Sequence, residues 1–229
     1  MFPILIYDCK KELPEKGNYF VLAGNGLWMH KDTGICRCFL PVNRASFLED
    51  LDVKNQLSID LPKIPYPDFY KIKYFFKIIL EKYNSESIVL VYFNKEKKQY
   101  KIIAPEQIVS HSSVKYKRKP VSDSIELDGF IFVGTIHSHC DFDAFHSDID
   151  IDDELDLDGI HVTIGNNDKS IVTIKSSIVI NGFRIQTLPE DHFEDIKKIN
   201  NGYIVNDCEI DLKETFFWLN NVKKYEKNI

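Results

Sequence analysis

The sequence predicts an α/β fold in which a mixed sheet is flanked by helices and preceded by a β-rich extension. Two observations support this prediction. Residues Asp68–Tyr83 place their large apolar side chains on one stripe, which is the pattern of an amphipathic helix. Short apolar runs bounded by turn residues, such as Ser87–Phe93 and Phe130–Ile136, fill much of the remaining chain and are typical of strands.

Three segments are expected along the 229 residues. Residues 1–62 form a β-rich domain of short strands and tight turns. The run Leu61–Pro67 carries three prolines in seven residues, which predicts a stiff linker. Residues 67–190 make the main domain, and residues 191–229 a C-terminal helical extension packed on it, with a helix over Thr215–Lys224.

Composition excludes several classes of function. The formal net charge is −6, whereas nucleic-acid-binding domains carry clustered basic surface. No run approaches the roughly eighteen apolar residues of a membrane span. The short apolar N-terminus lacks the preceding basic region of a signal peptide. The five cysteines are odd in number and form no Cys-x-x-Cys, so we expect a reduced, cytoplasmic protein. From the charge and the lack of a long apolar run, we expect neither nucleic-acid nor membrane partners.

Two histidines follow the strand-like run Phe130–Ile136. His137 and His139 are one residue apart, so their imidazoles share one face of an extended chain. Further along, Ser147 and Asp150 stand at the expected start of a short helix, which can bring the carboxylate back toward the histidines. Two neutral imidazoles and one carboxylate, with a fourth position left to water, are the ligands of a catalytic zinc site. This pattern predicts one zinc ion per chain.

Each half of the pattern also has an ordinary explanation. Many strand ends carry a His-x-His that binds nothing. Ser-x-x-Asp also resembles a helix cap, in which the hydroxyl satisfies a backbone N–H for about 1 kcal/mol. A calcium loop starting at Glu154 is excluded, because its twelfth position is Gly165 instead of a bidentate glutamate.

Taken together, the residues match a known motif. His137-Ser138-His139, seven residues, and then Ser147-x-x-Asp150 resembles the His-x-His-x(7)-Ser-x-x-Asp pattern of the JAMM zinc metalloproteases. That family has the JAB/MPN fold, a cytidine-deaminase-like mixed sheet flanked by helices. The resemblance implies His137, His139 and Asp150 as zinc ligands and makes the neighbouring His146 a cleft residue.

The resemblance covers about residues 67–190. Pro105–Ser110, with Val114–Tyr116 after it, is similar to the Pro-x-Gln…Val-x-Tyr segment of prokaryotic JAB proteins. Within the prokaryotic branch, the chain looks most like protein A of the plasmid-type PRTRC systems, whose loci also encode E1-like and ubiquitin-like proteins.

The family pattern also needs a glutamate at the start of a strand, about fifty residues before the first histidine. Glu86 fits, because it follows the predicted helix and opens the strand Ser87–Phe93. Glu126 is the rival, but it lies only eleven residues before His137, which leaves no room for the intervening strands. Glu81 is expected on the preceding helix.

The resemblance implies a JAMM-type zinc peptidase or isopeptidase, a deubiquitinase-like hydrolase that cleaves after the C-terminal tail of a bacterial ubiquitin-like modifier, for maturation or deconjugation. Glu86 would be the general base and Ser147 the donor to the oxyanion. Partners would be the modifier, its conjugates and E1/E2-like proteins.

Three alternatives stay open. The chain could be a catalytically silent MPN-fold scaffold in a ubiquitin-like modification complex, although such scaffolds have typically lost a ligand that this sequence keeps. It could be a RadC-like protein, although no DNA-binding helix pair is evident in the sequence. It could also be a zinc hydrolase of small amides or thioesters, whose chemistry would be identical.

Overall fold

The computed structural model describes residues 2–7, 11–44, 56–117 and 127–225. Glu126, the rival glutamate, lies outside these ranges. The described chain is mixed α/β, with three α-helices and sheets of five, eight and three strands, in agreement with the predicted fold class. It divides into two compact units, Met1–Leu61 with Ile180–Phe183, and Pro62–Val179 with Arg184–Ile229. No helix in the described ranges is long and apolar enough to cross a membrane.

The first unit is built on a five-stranded sheet. Its strands are β1 (Ile4–Ile6), β2 (Tyr19–Ala23), β3 (Gly26–Asp32), β4 (Cys36–Arg44) and β5 (Gln56–Ile59). They lie side by side in chain order, with β1 parallel to β2 and the other pairs antiparallel. Tyr19, Val21, Trp28 and Phe39 form the buried core of this unit.

Except for Ile180 and Phe183, which fall in the first unit, the remaining elements belong to the second unit. They are α1 (Tyr66–Tyr83), β6 (Ile88–Asn94), β7 (Gln99–Ile103), β8 (Gln107–Ser110), β9 (Ser113–Tyr116), β10 (Ile131–His139), α2 (Asp148–Glu154), β11 (Gly159–Gly165), β12 (Ile171–Ile180), β13 (Phe183–Thr187), β14 (Lys197–Ile199), β15 (Gly202–Ile204), α3 (Lys213–Leu219) and β16 (Val222–Lys224). The eight-stranded sheet has the order β14-β15-β12-β11-β10-β6-β7, with β13 paired to β12. A smaller sheet has the order β16-β8-β9.

Helix α1 begins two residues before the predicted start at Asp68, since Pro67 is tolerated in the first turn of a helix. Its apolar stripe is buried, and Phe75 packs edge-on against Trp218 of α3 with ring centroids 5.5 Å apart. The helix ends at Asn84, whose φ of 50° is left-handed. This end leaves Glu86 just before β6.

The central strands β10 and β11 are parallel and lie unusually close at one point. Gly134 has a φ of +153°, and a Cβ there would lie 1.8 Å from the carbonyl oxygen of Ile160. Only glycine therefore fits, and the β10–β6 register shifts between Phe132 and Gly134. The residues after this irregularity carry the histidines.

The C-terminal part differs from the predicted helical extension. Helix α3 spans seven residues, while β14 and β15 extend the main sheet and β16 pairs parallel with β8. The predicted helix Thr215–Lys224 stops at Asn220, because the next residue turns the chain into the small sheet. The Asn221 amide donates to the Ala104 carbonyl at 2.8 Å, and the Asn221 carbonyl accepts from Gln107 N at 2.8 Å.

Candidate metal centre

Strand β10 and helix α2 bring the three predicted ligands together. His137 and His139 share one face of β10, with ring centroids 5.2 Å apart, and both are buried. Asp150 reaches both rings, with Oδ1 3.4 Å from His137 Nε2 and Oδ2 3.3 Å from His139 Nε2. One ligand atom from each residue lies within 4.8 Å of the others, a spacing compatible with a metal ion.

The cap of helix α2 aims the Asp150 carboxylate. Ser147 is the N-cap residue, and its Oγ accepts a hydrogen bond from Asp150 N at 3.2 Å. The Ser147 N–H and hydroxyl both donate to Asp150 Oδ2, at 2.8 and 2.6 Å. A helix cap and a metal-ligand role for Asp150 are therefore compatible, because the hydrogen bonds of the cap also orient the Asp150 carboxylate.

The serine between the histidines fixes the strand that follows Glu86. Ser138 N donates to the Ser87 carbonyl at 2.9 Å, and Ser138 Oγ accepts from Ser87 N at 2.8 Å. The buried Gln107 side chain binds both backbone groups of Ile88, and Glu86 N donates to the Ser110 carbonyl at 2.9 Å. These bonds place Glu86 in the wall of the same cleft as the histidines.

This cleft has a volume of about 950 Å³. The β8–β9 hairpin forms one side, including Val114 and Tyr116 of β9, which is an end strand of its sheet. Phe142, Phe145 and Ile149 line the cleft on other segments and are 54%, 52% and 62% exposed. Apolar side chains and the end strand β9 therefore line the part of the cleft next to His137, His139 and Asp150.

Charge and burial suit the cluster to a cation. Burial alone would raise the pKa of Asp150, but the hydrogen bonds with His137, His139 and Ser147 outweigh it and hold that pKa well below its ordinary value. Burial raises the pKa of Glu86 to about 7, although the nearby His137 opposes the shift. The cleft therefore pairs an ionised Asp150 with the Glu86 carboxyl, which titrates near neutrality.

Two neighbours of the motif have other roles in this structure. Cys140 is fully buried at a φ of 41°, with Sγ 3.6 Å from the His111 carbonyl, and burial raises its pKa to about 12. The raised pKa makes the thiol a poor nucleophile. Its Sγ lies against the His111 carbonyl and is not part of the group formed by the His137, His139 and Asp150 ligand atoms. His146 is partly buried and lies beside the cluster, because the Thr163 hydroxyl is 3.3 Å from both His146 Nδ1 and His137 Nε2.

Sequence reasoning missed Glu154 and Arg184. Glu154 is buried at the end of α2, near His137, and its carboxylate is paired with Arg184 at 2.6 Å. Its spacing of four residues from Asp150 was a usable signal, because such residues share a helix face. Arg184 comes from β13, and nothing in the sequence links it to α2.

Comparisons of this chain with models of known protein families and with characterised proteins give no match.

Proposed function

We propose that the protein is a zinc-dependent peptidase or isopeptidase of the JAMM type, with a JAB/MPN fold, that cleaves after the C-terminal tail of a ubiquitin-like modifier. The observation that carries the proposal is the convergence of His137, His139 and Asp150 beside Glu86 in one cleft. Metal ligands alone would suit a structural site, but a buried carboxyl beside them in an open cleft suits catalysis.

The donor set fits zinc. Two imidazole Nε2 atoms and one carboxylate are a catalytic zinc set, and the cleft leaves room for water as the fourth ligand. A zinc ion held by His137, His139 and Asp150 would lower the pKa of a bound water from 15.7 to about 7.

Glu86 is the proposed general base. Burial raises the pKa of this carboxyl, which suits a group that must accept a proton from water and later release it. As the water oxygen bonds to the scissile carbonyl carbon, Glu86 takes the water proton. When the carbon–nitrogen bond breaks, Glu86 gives the proton to the departing amine.

Ser147 is the proposed oxyanion donor, and the structure gives it a second task. Its hydroxyl has a single proton, which is donated to Asp150 at 2.6 Å. Donation to the oxyanion therefore requires the hydroxyl to rotate away from Asp150. The Ser147 N–H continues to hold the carboxylate at 2.8 Å when it does so.

The shape of the cleft supports an extended peptide as substrate. A modifier tail can pair with an end strand such as β9 through its backbone, while its side chains meet Val114, Tyr116 and the exposed phenylalanines. We place this reaction in the cytoplasm, on the cysteine usage of the sequence, with E1/E2-like proteins as further partners.

The test is cleavage of a ubiquitin-like modifier fused through its tail to a reporter protein. Glu86→Gln is expected to keep its zinc and to lose roughly 10²–10⁴-fold in rate, because the base is gone but the ligands remain. Glu81→Gln, an exposed glutamate on α1, is the matched control and should cleave normally. Cleavage that persists in Glu86→Gln or in a chelator would refute the proposal. Cleavage of a small amide but not of the fusion would favour the small-substrate alternative.

A further inference from the structure

Helix α2 presents a second carboxylate to the metal cluster. Glu154 lies four residues after Asp150, so the two side chains share one face of the helix. Asp150 Oδ1 is 3.4 Å from His137 Nε2, and Glu154 Oε1 is 3.9 Å from His137 Nδ1. The two nitrogens of one imidazole therefore each face a carboxylate of α2.

Glu154 is anchored independently of the cluster. Its side chain is 7% exposed, and its Oε2 is 2.6 Å from Arg184 Nη2. Arg184 Nη1 in turn donates to Ser177 Oγ on β12 at 2.5 Å. The charge of the buried carboxylate is thus balanced on one oxygen, and the other oxygen lies near two imidazole nitrogens, His161 Nδ1 at 3.5 Å and His137 Nδ1 at 3.9 Å.

A second histidine lies near Glu154 Oε1 but cannot donate to it. His161 Nδ1 is 3.5 Å from this oxygen. However, His161 Nε2 lies 2.8 Å from the Leu157 carbonyl, which can only accept, so Nε2 carries the proton. Burial lowers the pKa of His161, so the ring is neutral and Nδ1 is an acceptor, satisfied by the Thr135 hydroxyl at 2.8 Å. His137 is therefore the imidazole from which Glu154 Oε1 can receive a proton.

We propose that Glu154, held by Arg184, is a positioning residue for the metal centre. It accepts the Nδ1–H of His137 and so fixes the tautomer whose Nε2 lone pair points to the ligand cluster. The present 3.9 Å separation is longer than a hydrogen bond, so the contact forms when the ring moves by about 1 Å or through one bridging water. The inference rests on the metal site of the proposed function.

Zinc affinity of Glu154→Gln, measured by competition with a chelator, tests the inference without any substrate. Glutamine replaces the charged acceptor by a neutral, weaker one, and a change of this kind in an outer partner weakens metal binding by roughly 10–100-fold, which is the expected result. Asp153→Asn is the matched control, because it removes the same charge from the adjacent, exposed residue of the same cleft. Its dissociation constant should stay near that of the wild type.

Glu154→Gln leaves Arg184 without its partner and can lower stability, so a second variant is needed. Glu154→Gln with Arg184→Met removes both charges, and it should bind zinc as weakly as the single variant. The absorption spectrum of bound Co²⁺ reports the ligand geometry and should change in both variants but not in Asp153→Asn. In the zinc-loaded wild type, the His137 Nδ1–H should give a proton resonance protected from exchange with water.

Several outcomes separate this inference from the proposed function. Wild-type affinity in both Glu154 variants, or a His137 Nδ1–H that exchanges freely, overturns the role of Glu154 and leaves the metalloprotease proposal standing. A wild-type protein that binds no zinc overturns both.

Discussion

Replacing Glu86 by glutamine is expected to stabilise the metal-free protein at alkaline pH. Burial raises the pKa of this carboxyl from 4.5 to about 7 in the folded state. Because the folded state holds the proton more tightly, ionising Glu86 opposes folding. This cost is absent below about pH 4.5, grows between about pH 4.5 and 7, and is complete above that range. One pKa unit corresponds to about 1.4 kcal/mol, so the full cost has an upper limit of about 3 kcal/mol.

The assay is urea unfolding in a chelator at about pH 4 and pH 8. Glutamine cannot ionise, so Glu86→Gln should be more stable than the wild type at the higher pH, by up to about 3 kcal/mol, and equally stable at the lower pH. Glu81→Gln, on the exposed face of α1, should change the free energy of unfolding by less than about 0.5 kcal/mol at both values. An equal effect of Glu86→Gln at the two pH values, or none at pH 8, would show that the carboxyl is not buried as described.

Three further predictions concern the site and its scaffold. Zinc affinity should fall by up to about tenfold per pH unit between pH 8 and 6. Burial alone would lower the pKa of His137, but Asp150 raises it, so a proton competes with zinc for His137 Nε2. Chelator competition that gives the same zinc affinity at all pH values would contradict this. Cys140→Ala should retain its zinc, measured by metal analysis, because Sγ contacts the His111 carbonyl and lies outside the group of proposed ligand atoms. Zinc loss would make Cys140 a ligand. Gly134→Ala should lower the free energy of unfolding by at least about 3 kcal/mol, measured by thermal unfolding. Gly182→Ala, with nothing within 4 Å of its added Cβ, should lower it by about 1–2 kcal/mol. Equal losses of stability would disprove the tight β10–β11 contact.

The sequence could predict features that depend on local periodicity. The apolar stripe of Asp68–Tyr83 gave the helix α1, and the alternation of a strand placed His137 and His139 on one face. The spacing of Ser147 and Asp150 predicted a carboxylate near the histidines, and the structure places Asp150 there by means of the helix cap. Glu86 was within reach of sequence reasoning because it lies directly between a helix and a strand.

Features that depend on distant pairing were out of reach. Arg184 meets Glu154 only because the chain folds back through β12 and β13, and 30 residues separate the two partners. In the small sheet, β16 likewise pairs with β8, which lies more than a hundred residues earlier in the chain. The end of the predicted helix Thr215–Lys224 is therefore a strand. The contact that links His146 to His137 through Thr163 of β11 likewise depends on the tertiary fold.

The central claim is that His137, His139 and Asp150 hold one zinc ion, and metal analysis of protein purified without chelator tests it most directly. The wild type should contain about one zinc per chain, and Asp150→Asn should contain almost none, because one of three protein ligands loses its charge. Asp148→Asn, an exposed neighbour in the same helical turn, should keep its zinc. A wild-type protein that stays metal-free after incubation with zinc, or an Asp150→Asn variant that retains a full equivalent, would contradict the account.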